Sequence, residues 1–190
     1  MPRMIRNSVM SLLFMTALTG IVYPLVITGI AQVAFPGRAN GSIVEENGNP
    51  VGSALIGQQF GGPGYFWGRP SATTPYPYNS ASSSGSNLGP NNPDLIRAVQ
   101  SRIDALRAAD PGNRRPIPVD LVTSSASGLD PDISPAAAIY QAGRVARARG
   151  LDVAKVRDLI AENTRERFLG IFGEPAVNVL RLNLALDNLK

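Results

Sequence analysis

The sequence contains neither cysteine nor histidine, and its only lysines are Lys155 and Lys190. Without cysteine there are no disulfides and no thiolate ligands; without histidine the commonest metal ligand and the usual general base are missing. A Ser-His-Asp or Cys-His apparatus is therefore excluded. A phosphate-binding loop of the Walker type needs a lysine directly after glycine, and the two lysines follow alanine and leucine. The glycines of "GGPGYFWG" lack the spacing and the helix opening of a dinucleotide fingerprint. Charge of one sign is scarce too. The net charge is +4, but Arg3 and Arg6 precede the first apolar run, and setting them aside leaves 16 basic residues against 14 acidic ones. That near-neutral remainder lacks the cationic face a nucleic-acid partner requires.

What is present first is a long apolar segment. No residue from Asn7 to Gly37 is charged, and "SVMSLLFMTALTGIVYPLVITGIAQVAF" exceeds the length needed to cross a hydrocarbon core of about 30 Å at about 1.5 Å per residue. The rival reading, a cleaved signal peptide, has an apolar region of only about 7–15 residues. Gln32 disturbs the small-residue pair before Phe35, although Ala31 and Val33 leave an alternative cutting position; the length favours an uncleaved anchor. Pro24 lies in mid-span and frees one carbonyl. Thr16, Gly20, Thr28 and Gly29 offer small surfaces to a neighbouring helix, Thr16 and Gly20 at small-xxx-small spacing. With Arg3 and Arg6 before the span and Glu45 and Glu46 after it, the positive-inside rule sets the N-terminus in the cytoplasm. The expected organisation is residues 1–7 cytoplasmic, 8–36 transmembrane and 37–190 an external, periplasmic domain.

In that domain residues 41–92 are rich in Gly, Ser, Asn and Pro, yet hold Phe60, Tyr65, Phe66, Trp67, Tyr76 and Tyr78. The aromatics imply an ordered irregular surface rather than a solvated linker, and prolines 63, 70, 75 and 77 lower the entropic cost of ordering it. "SALIGQQF" (53–60) reads as a short strand. Asn92 caps a helix with Pro93 at its first position, and Leu95, Ile96, Val99, Ile103 and Leu106 recur at helical spacing up to about Asp110. "IPVDLVT" (117–123) reads as a strand. Ser134 caps a second helix closed by Gly150, with Arg144, Arg147 and Arg149 in its later turns where the dipole favours cations. Asp152 caps a third, with Val153, Val156, Leu159 and Ile160 inward and a further turn reaching Phe168 and Leu169. "AVNVLRLNLALD" alternates as a strand with a slip at Leu180, expected to be a bulge. The fold class is α+β: one transmembrane helix, then a small domain with a short sheet packed by about three helices.

Arg69 is the only charge between Glu46 and Asp94. Its guanidinium either satisfies loop carbonyls, with its stem on Tyr65 or Trp67, or anchors a partner, since arginine among aromatics is a favoured interface composition. Asp130 and Asp132 could offer a cation two carboxylates, although a turn before the Ser134 helix explains them as well; no metal site is expected. Tyr140 is read as packed and Gln141 as solvent-facing.

"SALIGQQF…YFWGRPSA", Tyr78-Asn79, "SGSNLGPNNPDL", "VDLVTSSASGLDPDISPAAAIYQAGRVARARGL" and "GEPAVNVLRLNLALD" together resemble the C-subunit family of Kdp-type potassium-transporting ATPases, over nearly the whole chain. The chain departs from that family's frequent residues at Asp132, Asn163 to Arg165 and Ala176. The resemblance implies a subunit of a bacterial inner-membrane complex, non-catalytic itself. Its partners would be a potassium-conducting subunit, an ATP-hydrolysing P-type subunit, a small membrane subunit and membrane lipid, with potassium as the transported ion. Two roles compete, the first drawn from the external topology and the lack of a phosphate-binding element, the second carried by the resemblance. In one, the external domain stabilises the complex and caps the potassium-conducting subunit, docking through Tyr65, Trp67, Arg69 and Asn79. In the other, the chain is a catalytic chaperone that raises the hydrolysing subunit's affinity for ATP through a transient ternary complex, with Gln141 the candidate nucleotide contact; no cofactor of its own is expected, ATP entering only through the complex.

Overall fold

The computed structural model describes residues 2–189; Met1 and Lys190, at the ends of the two outermost segments, lie outside it. The chain divides into two units, residues 1–51 and 52–190. The first is dominated by one helix of 33 residues, Pro2–Ala34, about 50 Å long at 1.5 Å per residue. It is assembled from α1 (Pro2–Ala17), a π-helical turn (Leu18–Val22) and α2 (Tyr23–Ala34). The π turn has a local cause. Pro24 has no N–H to offer the carbonyl of Gly20, and its ring crowds that carbonyl; a one-residue widening of the ladder just before the proline relieves both. The helix's large apolar side chains are exposed, Met10 at 60 % and Leu25 at 67 %, the inverse of a soluble core and suited to hydrocarbon. It ends at Phe35, which leaves helical geometry, and is followed by the short α3 (Pro36–Ala39). A two-stranded hairpin of β1 (Ile43–Glu46) and β2 (Asn49–Ser53) comes next, turning at Asn47 and Gly48, both at positive φ. That is the backbone which matches the right-handed twist of paired strands.

In the second unit α4 (Pro93–Ala109) starts where expected, the Asn92 side chain accepting from the Asp94 N–H at 2.8 Å. Leu106 is buried, but Ile96, expected inward, is 60 % exposed. Segment 117–123 forms no strand: Val119–Leu121 is a single 3-10 turn that buries Leu121. Pro118 cannot donate to a ladder, and Thr123 closes the turn with bonds to Val119. Residues 54–60 form no strand either; they are turn and irregular loop. After β3 (Asp132–Ile133), α5 (Pro135–Arg149) is capped by Ser134 and closed by Gly150 in the left-handed region, where the N–H groups of Gly150 and Leu151 return to the last turn. The third expected helix is α6 (Val153–Glu162), with Val156, Leu159 and Ile160 buried and Val153 outside. The chain then makes β4 (Thr164–Arg165), a short hairpin tip and β5 (Ala176–Asn178). The sheet has the order β3-β5-β4, all antiparallel, with Val177 opposite both Ile133 and Thr164.

The largest departure from the sequence reading is the C-terminal segment. Only Ala176–Asn178 is strand; Val179–Asp187 is a helix, α7. What looked like a bulge at Leu180 is a change of period. The Asn178 side chain accepts from the Arg181 N–H at 3.1 Å and caps the helix, after which Val179, Leu182 and Leu186 fall on one face and are buried. The core thus lies between α5, α6, α7 and the sheet, closed by Phe66 and Leu121. Among the described residues α4 to α7 pack this unit, the α+β arrangement of a small sheet covered by helices that the sequence predicts.

Replacing fully buried Leu182 by Ala removes core contacts and leaves a cavity, a cost of about 2–5 kcal/mol. Arg181→Ala, on the solvent face, changes stability by less than about 0.5 kcal/mol. Denaturant titration of both variants together with Asn183→Ala checks the helical phase: a strand would place 181 and 183 on the same outer face, whereas in the helix 183 is buried beside 182 and its replacement is costly while that of Arg181 is not.

Candidate functional site

The segment from Gly62 to Asn79 has no regular secondary structure, yet Phe66, Trp67 and Gly68 run through the interior. Buried backbone must find partners, and here side chains supply them. Asn183 of α7 accepts from Phe66 N–H at 2.8 Å and donates to Phe66 C=O at 3.0 Å. Gln141 of α5 does the same for Trp67, accepting at 2.8 Å and donating at 3.1 Å. Each carboxamide thereby imitates one rung of a β-ladder, and successive residues of an extended chain turn their peptide groups to different sides, hence one helix for each. Gln141 is correspondingly 1 % exposed, which corrects the solvent-facing assignment.

Gln141 has no hydrogen-bonding capacity left. Its Oε1 also accepts from Arg144 Nη2 at 2.7 Å and its Nε2 also donates to Ala137 C=O at 3.3 Å, filling two acceptor and two donor positions. Arg144, placed at the helix end by sequence, turns inward instead: 4 % exposed, it donates to the carbonyls of Pro63 (2.5 Å) and Tyr65 (3.0 Å) and lies 4.6 Å from the Trp67 ring centre. Burial pushes its guanidinium down to about 10, still charged at neutral pH. Arg102 of α4 lies 5.2 Å from the same ring and donates to Gly68 and Leu121 carbonyls at 2.9 and 3.0 Å. Trp67 therefore carries two cation–π contacts, and its Nε1–H is used by Gly62 C=O at 3.0 Å. Further out, Arg149 donates to Gly64 C=O at 2.7 Å, pairs with Asp187 at 2.6 Å and stacks at 4.6 Å on Tyr65.

Arg69 answers the question its isolation raises. Nη1 pairs with Asp130 at 3.0 Å, while Nε and Nη2 reach Thr123 and Ser124 carbonyls at 3.4 and 3.3 Å. The fork ties the loop to segment 123–130. Tyr78, at φ 58°, donates its hydroxyl to Arg69 C=O at 2.6 Å, and burial raises its pKa, so it stays a donor. Its ring rests where a Cβ on Gly57 would stand, 2.3 Å away; only glycine fits there. Asn79 is 5 % exposed, donating to Thr74 C=O and accepting from Ala81 N–H. Of the four docking candidates, Trp67 and Asn79 are thus interior supports, and Tyr65 and Arg69 keep side-chain surface. A cleft of about 340 Å³ opens beside them, lined among others by Phe60, Trp67, Tyr78 and Arg102.

Asp130 and Asp132 are both engaged. Asp130 Oδ1 accepts from the Asp132 N–H at 3.0 Å, a turn contact, and Asp132 pairs with Arg165 at 2.8 Å and accepts from Asn178. Among the described residues no group of three or more acidic, histidine or cysteine side chains converges on a metal position. The supports that sequence reasoning missed are Arg102, Arg144 and Asn183. A signal existed for Asn183, and for the burial of Gln141: both carboxamides sit in phase with the buried stripes of their helices, α7 (Val179, Leu186) and α5 (Ala138, Val145).

Gln141→Ala strands the Trp67 N–H and C=O and removes one acceptor from Arg144; the two main-chain groups alone cost about 2–6 kcal/mol at about 1–3 kcal/mol per buried unpaired group. Trp67 fluorescence, read during thermal unfolding, shifts to the red and midpoint falls; unchanged emission would mean the carboxamide is not the loop's support.

The comparisons extend over the whole molecule. A family profile described as K+-transporting ATPase, c chain (KdpC), matches residues 5–188. The "Potassium-transporting ATPase KdpC subunit" of Herpetosiphon aurantiacus is 62% identical over 97% of this chain and 96% of its own length. Those of Polaromonas naphthalenivorans and Ralstonia nicotianae are each 61% identical, over 100% and 98% of this chain and 97% and 92% of theirs. With the profile spanning nearly every residue and relatives at this identity end to end, the chain belongs to the KdpC family.

Proposed function

We propose that this chain is a non-catalytic accessory subunit of a potassium-transporting P-type ATPase, anchored by its helix, with its second unit outside the cytoplasm as a cap on the potassium-conducting subunit. Membership of the family supports the complex. The external placement rests on Arg3 and Arg6 ahead of the helix and the two glutamates after it. The observation that carries the capping role is the internally satisfied 62–79 loop. Gln141, Asn183, Arg144 and Asn79 are spent on holding its backbone, so the loop is a preformed surface rather than a reactive centre. A rigid surface avoids most of the ordering cost of association. Tyr65 and Arg69 at its exposed edge are residue types enriched in binding hot spots. The cap would govern complex stability and potassium access; ATP hydrolysis would belong to another subunit.

The chaperone reading assigns Gln141 to a nucleotide, and that carboxamide would have to release Trp67, Arg144 or Ala137 to make the contact.

Arg69→Ala lowers co-purification of the potassium-conducting subunit by about tenfold, the equivalent of about 1.4 kcal/mol, with the helix content of the chain unchanged. Equal recovery and equal potassium uptake would refute the docking role. Titrating ATP against the full-length chain in lipid nanodiscs yields no saturation in the micromolar range; a micromolar Kd would transfer the conclusion to the chaperone.

A further inference from the structure

Between β4 and β5 the chain runs Arg167-Phe168-Leu169-Gly170-Ile171-Phe172-Gly173. Four large apolar side chains there face solvent: Phe168 is 70 % exposed, Leu169 73 %, Ile171 72 % and Phe172 62 %. A contiguous apolar patch of this kind is uncommon on a soluble surface and marks an interaction site. We propose that this hairpin tip inserts into the headgroup–acyl boundary of a lipid bilayer. The inference rests on the N-terminal helix spanning a membrane and is independent of the capping role.

Three features favour lipid over a protein groove. First, most N–H groups of the tip are already bonded within the loop. Phe168 N–H and Phe172 N–H exchange bonds with the opposite carbonyls, both at 2.9 Å, and the Gly170 and Ile171 N–H groups return to Arg167 and Phe168 carbonyls at 3.0 and 3.2 Å. These four N–H groups therefore need no partner outside the loop, as lipid requires. Second, no side chain from 168 to 173 carries a donor or an acceptor, so the tip offers nothing to fix orientation against a protein partner, while a non-directional apolar medium asks for nothing more. Third, Leu169 holds φ 53° beside Gly170 at φ 73°. Asparagine, aspartate and glycine are the residues that suit those turn positions. A leucine there gives up backbone preference for an apolar tip.

At the base, Arg167 pairs with Glu174 at 2.6 Å and stays 44 % exposed, and Arg165 is 72 % exposed. Long arginine stems can lie along the acyl boundary with their heads at phosphate level. The anchoring helix holds this unit on a covalent leash, so the effective concentration of bilayer around the tip is high whatever orientation the unit takes.

The test uses the full-length chain reconstituted into vesicles of phosphatidylcholine and phosphatidylglycerol, with and without bromine on the acyl chains. Phe168→Trp adds a fluorophore at an exposed position, and wild-type protein supplies the Trp67 baseline. A residue seated about 5–10 Å into the interface emits in the blue and loses most of its added emission to brominated lipid. Red-shifted emission that bromine does not quench overturns the proposal. So does quenching that disappears once the chain is purified within its transport complex, which would assign the tip to a protein partner.

Discussion

The second unit depends on one solution to one constraint: an irregular segment crosses the interior and its peptide groups cannot reach water. Regular structure would satisfy them by repetition. Here two carboxamides, 1 % exposed each, satisfy them singly, Asn183 at Phe66 and Gln141 at Trp67. Because each bonds both the N–H and the C=O of its residue, each determines the position and direction of the backbone there. Phe66 then fills the core and Trp67 presents its ring to two arginines. A buried polar network is favourable only when every member is satisfied, and Gln141 meets that condition with four bonds.

The same constraint explains where positive charge goes. Arg144 is buried with carbonyl oxygens and an aromatic face as its immediate partners, the nearest ones being Pro63, Tyr65 and Trp67. Removing a charge from water is expensive. Its planar fork recovers much of that through several charge-assisted bonds in fixed directions, which lysine could not supply from the same site. Arg102, Arg149 and Arg69 repeat the arrangement with carbonyls of Gly68, Gly64 and Ser124. A chain with almost no lysine and a loop full of carbonyl acceptors outside any ladder is thus consistent at both levels. The outcome is a surface shaped in advance, which suits binding better than chemistry.

The first unit follows different rules, those suited to a hydrocarbon solvent, since its helix is long and apolar enough to cross a membrane. Pro24 is accommodated by a π turn over Leu18–Val22 rather than by a break, keeping most backbone groups bonded inside the helix, as a bilayer demands. The hairpin tip at 168–172 follows that rule on a small scale, with the N–H groups of Phe168, Gly170, Ile171 and Phe172 bonded to carbonyls of the loop and its base.

What the sequence by itself determined was whatever local chemistry settles: the membrane-length helix, the caps at Asn92, Ser134 and Asp152, the left-handed stop at Gly150, and a family resemblance spanning the chain. The Asn47-Gly48 pair is a hairpin signal that went unread, because its flanking strands, four and five residues long, are too short for alternation to show. Caps bond two or three residues away, so a short window contains both partners. Tertiary structure decided the rest. Whether 176–187 is strand or helix turned on packing, because valine- and leucine-rich segments satisfy either period over a few residues. Whether Gln141 faced water turned on Trp67, 74 residues away, and Asn183 finds Phe66 across 117. A polar side chain has a meaning only with its partner, and no window of sequence contains partners that far apart.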